Sequence, residues 1–393
     1  MRIIYISDLD LTGSGYSHIT INLCQGLMAL GHDVKVIGLS YKNEQHPWNF
    51  SILSVSGLEE VIATANNLIT LWKPHVVVVA LDIPQQGAVL DRLAHFQLPY
   101  VAITPLESGP LCMQWTMSLM RATKLFLISQ LGTEEVIKKG VQAEHLSIGI
   151  DTDSWKKRTK KEYREARKRV FGIEDDTFII LTVADNQERK NLAGAMDIVS
   201  MLKKKMGEDF QFRYALVTRP GSPVGWKLID MAIRFGISEE YVEFERGLSF
   251  SRLWLLYACA DAFLLTSKGE GLGMPVLEAM SVGVPVVGSA VGAIIEHLED
   301  NRGYLIPHEY EMIDPYGNAD RRYINRELAA GALEMIAKGE GRPKAETRVK
   351  KAGAYVGART WNIPVAQLDE AIRSIADDKE ETQEEEIQAA AAI

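Results

Sequence analysis

A chain of 393 residues is long enough for two domains of about 150 to 200 residues, each with its own core. Hydrophobic content of 47% with 24% charged residues is ordinary soluble composition, and a net charge of −9 argues against a bulk nucleic-acid partner, which would favour a basic footprint. Three widely spaced cysteines, Cys24, Cys112 and Cys259, read as buried thiols in a reducing compartment rather than as a disulfide frame or zinc site. The N-terminus lacks signal-peptide regions and no run of 18 apolar residues occurs, so a cytoplasmic setting is expected.

In chain order, residues 2–7 read as a buried strand, 19–30 as a helix ended by Gly31, and 34–39 as the next strand. Between the first two lies a glycine loop with Gly13, Ser14 and Gly15, at the start of a βαβ unit where phosphates commonly bind. The dinucleotide fingerprint is incomplete, because its third glycine falls at His18 and no acid closes the second strand, which sets a nicotinamide dehydrogenase aside. Apolar runs at 76–80 and 100–104 fit parallel strands buried on both faces. Asp82 and Glu107 follow them at their carboxyl ends and, with His18, are acceptor-side candidates. Asp8 with Asp10, and Asp151 with Asp153, form D-x-D pairs, but two carboxylates alone make a weak metal site and none is expected. Residues 156–169 hold nine basic side chains. A patch for peripheral contact with an anionic membrane is one reading; the acids Glu162 and Glu165 favour a solvated helix face.

A second domain is expected from about residue 150. Its first strand, 177–184, leads into a loop containing Asp185, Asn186, Arg189 and Lys190; a guanidinium and an ammonium at a strand's carboxyl end form a diphosphate clamp. Strands at 211–218 and 241–244 follow, the latter ending near Arg246 and Gly247. The stretch S-K-G-E-G-L-G-M-P-V-L-E-A-M-S-V-G-V-P, residues 267–285, joins a strand at 262–266 to a helix at 275–282. Pro275 suits the first helical turn and Gly283 the end. The N–H groups of Gly271, Leu272, Gly273 and Met274 then converge on a site for a phosphate or sugar hydroxyl, and Glu270 and Glu278 flank it as hydroxyl acceptors. Each glutamate alone reads more readily as a surface residue before a helix or a solvated helical one. Residues 308–324 are polar and have no chemical account, and 377–393 lack a core pattern and read as a disordered tail.

The run E-G-L-G-M-P-V-L-E-A-M-S-V-G-V-P-V-V, residues 270–287, resembles the E-x7-E signature of retaining glycosyltransferases of the GT4 group (glycosyl transferases group 1). The resemblance implies an α/β fold of GT-B type: two Rossmann-like, doubly wound parallel-sheet domains facing across a cleft. It places an acceptor-side domain at 1–149, a nucleotide-sugar domain at 150–352 and a closing helix at 353–376 that returns to the first domain. It implies transfer of a hexose from a UDP- or GDP-sugar to a hydroxyl on a carbohydrate, lipid-linked or small acceptor, with retention, no metal and no cofactor beyond the co-substrate. Glu270 would contact the donor sugar, Glu278 the ribose, Lys190 the leaving diphosphate, and Gly13 and Gly15 would let backbone approach it. Arg246 and Gly247 fall where the family contacts the nucleobase. Two departures stand out. The arginine usual in the clamp loop falls at Asp185, with Arg189 left to replace its charge, and the histidine common on the acceptor side is missing. Alternative readings are a non-catalytic nucleotide-sugar-binding subunit and a hydrolase or phosphorylase-like enzyme. A rim loop or a subunit contact would both fit the 308–324 insertion.

Overall fold

The computed structural model describes residues 1–12, 14–174, 176–339 and 342–375. They divide into two compact units: one of Met1–Leu106, Leu111–Gly149 and the residues from Thr360 on, the other of Glu107–Pro110 and Ile150–Arg359. Each is a Rossmann-like α/β layer structure.

The first unit is built on seven strands, β1 (Arg2–Asp8), β2 (Asp33–Leu39), β3 (Ser51–Val55), β4 (Val76–Ala80), β5 (Tyr100–Thr104), β6 (Lys124–Leu127) and β7 (Glu144–His145). They lie in the order β3-β2-β1-β4-β5-β6-β7, and every pairing is parallel. All five residues of β4 and of β5 are buried, which explains their unbroken apolar sequence: helices cover both faces. The first helix spans Gly15–Ala29 and starts earlier than the sequence suggests. Ser14 N and Ser17 Oγ both donate to Asp10 O, at 3.0 and 2.9 Å, so the turn closes on Asp10 and the helix begins at once.

The second unit has six parallel strands, β8 (Phe178–Val183), β9 (Phe212–Thr218), β10 (Tyr241–Glu245), β11 (Ala262–Leu265), β12 (Val286–Ser289) and β13 (Tyr304–Ile306), ordered β10-β9-β8-β11-β12-β13. From β8 the chain builds outward through β9 and β10, then reverses and builds the other way from β11. The loops after β8 and β11 therefore sit side by side at the reversal, where open α/β sheets bind ligands.

Residues 308–324 form an antiparallel hairpin, β14 (His308–Ile313) with β15 (Asp320–Ile324). The return to the first unit, expected at 353, begins instead at Thr360. The helix Arg342–Gly357 stays with the second unit because Ala352 and Val356 are buried there. The helix at 362–375 buries Val365, Leu368, Ala371 and Ile372 in the first unit. Of the basic run, Arg158 and Arg167 turn inward. Arg158 caps the carbonyls of Ala258 and Ala260, while Arg167 meets Tyr163 OH at 2.9 Å and Asp261 at 3.0 Å. The remaining cations of the helix Lys160–Phe171 are exposed. Among the described residues no helix is long and apolar enough to cross a membrane. Gly13 and the tail at 377–393 lie outside the described residues.

Candidate functional site

The switch point of the second sheet gathers the residues that matter. After β8 a short 3-10 turn, Glu188–Lys190, carries the two cations, and Asn191, at φ 54°, turns the chain into the helix Leu192–Met206. After β11 the loop reaches Glu270 and then the helix Met274–Val282, whose N-cap Gly273 sits at φ 77°. That left-handed backbone favours glycine, and a Cβ there would also displace the end of the Ile294 side chain, 2.5 Å away.

Lys190 Nζ bridges the carboxylate of Glu270 at 3.0 and 2.8 Å. Arg189 Nη1 reaches Gly269 O at 2.7 Å and Glu270 Oε2 at 3.3 Å, while its Nη2 pairs with Glu107 Oε1 at 2.8 Å. Burial alone would raise the Glu270 carboxyl, but the charges of Lys190 and Arg189 override it and hold it down to about 2. Burial pushes the Lys190 ammonium down and the Glu107 carboxyl up. Glu270 is also fixed through its backbone: its N–H donates to Glu107 O at 2.9 Å and its O accepts from Ala293 N at 3.0 Å. Gly292 makes that second bond possible, since a Cβ there would stand 2.1 Å from Glu270 O.

Glu107 thus requires a correction. Expected on the acceptor side of the first domain, it packs within the second unit, because the segment Glu107–Pro110 bonds to the Glu270 loop and to the hairpin through Asp320 N–Gly109 O, 2.8 Å. Arg321 of β15 meets its other oxygen at 3.4 Å.

Glu278 lies one turn inside its helix, buried, and accepts from Tyr257 OH at 2.6 Å. Burial pushes its carboxyl up to about 7, against the pull of that hydrogen bond. Tyr257 itself is buried between Trp155, edge-on at 5.3 Å, and Phe263, stacked at 5.7 Å. Behind the loop, buried His297 meets Leu272 O with Nε2 at 2.7 Å and Tyr355 OH with Nδ1 at 3.0 Å; burial holds it neutral, at about 3. Lys268 is buried against Glu188 and Tyr323, and burial brings it down to about 8.

Asp185 does not leave the charge gap expected of it. It accepts from Arg219 Nε at 3.2 Å and lies 3.7 Å from Arg246 Nη1, so one carboxylate anchors two guanidiniums at the carboxyl ends of β8, β9 and β10. Arg189, expected to replace that charge, is instead drawn to Glu270 and Glu107. Asn186, a donor-binding candidate, is wholly buried and committed to the neighbouring loop after β9: Nδ2 donates to Trp226 O at 2.9 Å and Oδ1 accepts from Trp226 N at 2.8 Å. Gly247, at φ 85°, forms the turn after β10.

In the first unit, Asp82 stands at the N-cap position of the helix Ile83–Leu93, and its carboxylate accepts from Tyr16 OH at 2.8 Å. Ser14 stands at the N-cap position of the helix Gly15–Ala29 without a side-chain capping bond, and Gly15 and His18 on that helix are exposed. Asp151 is a turn residue, accepting from the N–H of Asp153 and Ser154, each at 3.1 Å. Tyr257, His297, Lys268 and Arg321 were missed in the sequence. Only Arg321 had a local signal, the alternation around Asp314-Pro-Tyr-Gly that marks a hairpin.

Residues 163–314 match the sequence model described as "Glycosyl transferases group 1". Among curated proteins, the serotype-specific mannosyltransferase WbdA of Escherichia coli is 27% identical over 225 residues, 56% of this chain and 27% of that protein. A GDP-mannose-dependent alpha-(1-6)-phosphatidylinositol monomannoside mannosyltransferase of Mycolicibacterium smegmatis is 28% identical over 166 residues, 40% of this chain and 41% of that protein. The chain thus spans about a quarter of the length of the first curated relatives it matches. Anabaena HepE, solved in complex with UDP-glucose, superposes with a TM-score of 0.74 at 16% identity, covering 95% of this chain and 100% of that one. The fold is therefore GT-B.

Proposed function

We propose, for a chain whose residues 163–314 match the glycosyl transferases group 1 model, that it moves a hexose from a UDP- or GDP-sugar to a hydroxyl acceptor, with retention and without a metal. The observation that carries this reading is the Glu270 carboxylate bridged by Lys190 and Arg189 at the switch point of the second sheet. A carboxylate kept ionised beside two cations suits a site that must hold sugar hydroxyls and a diphosphate together.

In the reaction, the bond between the anomeric carbon and the donor phosphate oxygen breaks while the acceptor oxygen bonds to that carbon from the same face. The acceptor's proton passes to the departing phosphate oxygen. Lys190 and Arg189 take up the developing charge, assisted by the N–H groups heading the helix Met274–Val282. Glu270 orients the sugar rather than attacking it, and Glu278 accepts a ribose hydroxyl. Arg246, held by Asp185, serves the nucleotide from the far side of the switch point. Mannose is favoured as the sugar by the names of the relatives, and free Cys24, Cys112 and Cys259 suit a reducing, cytoplasmic setting.

A thermal-shift panel of UDP-, GDP- and ADP-sugars, with and without magnesium, tests this, since a ligand at a hundred times its Kd stabilises by about 2.7 kcal/mol. A rise with one nucleotide sugar, independent of magnesium, is the expected result. No rise with any of them refutes donor binding.

A further inference from the structure

The hairpin of β14 and β15 has no role in the reaction as proposed. Its register sets Tyr310 opposite Tyr323 and Met312 opposite Arg321, and opposite residues of an antiparallel pair share a face. That face is turned to the Glu270 loop: Arg321 pairs with Glu107, and Lys268 Nζ donates to Tyr323 OH at 3.0 Å. Arg322 N bonds to Lys268 O at 3.0 Å and ties the strand to the loop directly. Arg321 is buried, but Tyr310 is 46% and Met312 56% exposed, so the face continues past the loop into the open. The Tyr310 ring stacks on Tyr323 at 4.5 Å and 17°, and Lys268 Nζ stands 4.3 Å from the Tyr323 ring centre. An exposed aromatic is thereby held rigid on a chain of contacts that starts at the loop.

We propose that this face of the hairpin is an acceptor subsite, binding a saccharide whose ring lies against Tyr310. The inference rests on the donor sugar lying at Glu270. An acceptor hydroxyl must reach the anomeric carbon there, so the body of the acceptor has to lie on a surface that adjoins the loop. A sugar ring offers an apolar C–H face and a rim of hydroxyls. A fixed aromatic takes the first, and the half-buried carboxylate of Asp314, next along that face after Met312 and 3.7 Å from Arg321 Nε, takes the second. The same carboxylate opposes a purely apolar partner, and a net charge of −9 opposes a second copy.

The test titrates mono- to tetrasaccharides of mannose and of glucose into the full chain holding UDP or GDP, read by ligand-observed NMR. At least one saccharide should bind, and Tyr310→Ala should weaken it by about tenfold or more, leaving nucleotide affinity unchanged. Tyr310→Phe should retain it, because the ring face and not the hydroxyl makes the contact. Equal saccharide affinity in Tyr310→Ala and the parent overturns the proposal. So does the absence of saccharide binding to a nucleotide-loaded chain, or a dimer that Tyr310→Ala dissolves. Failure of every nucleotide and nucleotide sugar to bind is a different result, and overturns the donor reading beneath it.

Discussion

Glu278→Gln should stabilise the protein, and only above a particular pH. The carboxyl is buried, so the folded chain favours its protonated form, and despite the hydrogen bond it accepts from Tyr257 its ionisation moves from the ordinary 4.5 up to about 7. An acid with a raised folded pKa binds more protons folded than unfolded between those two values. Its ionisation therefore weakens the fold progressively as pH rises from about 4.5 through 7, and the full penalty persists above that. At about 1.36 kcal/mol per pH unit the displacement corresponds to roughly 3 kcal/mol. Glutamine keeps the shape and the acceptor for Tyr257 but cannot ionise. The variant should match the parent below pH 4.5 and exceed it at pH 8 by up to ~3 kcal/mol, several degrees in Tm for a unit of this size. Thermal unfolding of both proteins across that range is the assay. A stability difference that is the same at pH 5 and pH 8, or none at pH 8, refutes the reasoning. A costly carboxylate at this position is what a ribose-binding role would require, since stability is commonly sacrificed at functional sites.

Lys190→Ala removes the ammonium that bridges both oxygens of Glu270. Release of nucleoside diphosphate should fall by on the order of 10²–10³-fold, the size of losing one preorganised charge, and an unchanged rate would contradict the clamp. Asp185→Ala removes the carboxylate that Arg219 and Arg246 both approach. Donor KM should rise by roughly tenfold with kcat less affected, and an equal fall in kcat would argue against an anchoring role. His297→Ala strands the Leu272 carbonyl behind the site loop and should cost about 1–3 kcal/mol in chemical denaturation. A neutral effect would mean that the bond does not hold the loop.

The sheets were legible where strands are buried on both faces, as in β4 and β5, because a short continuous apolar run between turn residues suits a strand covered from both sides and little else. The Glu270 loop was legible through its punctuation, with Gly273, Pro275 and Gly283 marking a turn, a helix start and a helix end. What could not be read were partnerships across long sequence separations. Arg321 stands 214 residues from Glu107, and no local pattern announces that a polar insertion returns to the loop. Tyr257 hid in an apolar helix, where a phenol looks like any large core residue. Glu107 follows β5 along the chain, which points to that sheet's unit, yet its backbone bonds to Glu270 in the other. Asp185 looked like a lost positive charge, whereas Arg219 and Arg246 gather around it from two other strand ends.

The four residues Glu107–Pro110 leave the first unit, join the second and hand the chain back. In an emerging polypeptide, neither unit can therefore finish before the other is under way. The first waits for the helix at 362–375, where Val365 fills the space beside Gly26 and Asp369 meets His32. The second needs a piece made some forty residues before its own main segment begins, between Pro110 and Ile150. Cutting at Gly149 would not release two complete halves. The later fragment would lose the Glu107 carbonyl that holds Glu270 N, and with it the carboxylate shared by Arg189 and Arg321. Attempts to express either half alone should yield chains missing a structural piece, and mixing the two fragments should restore more order than the sum of the parts.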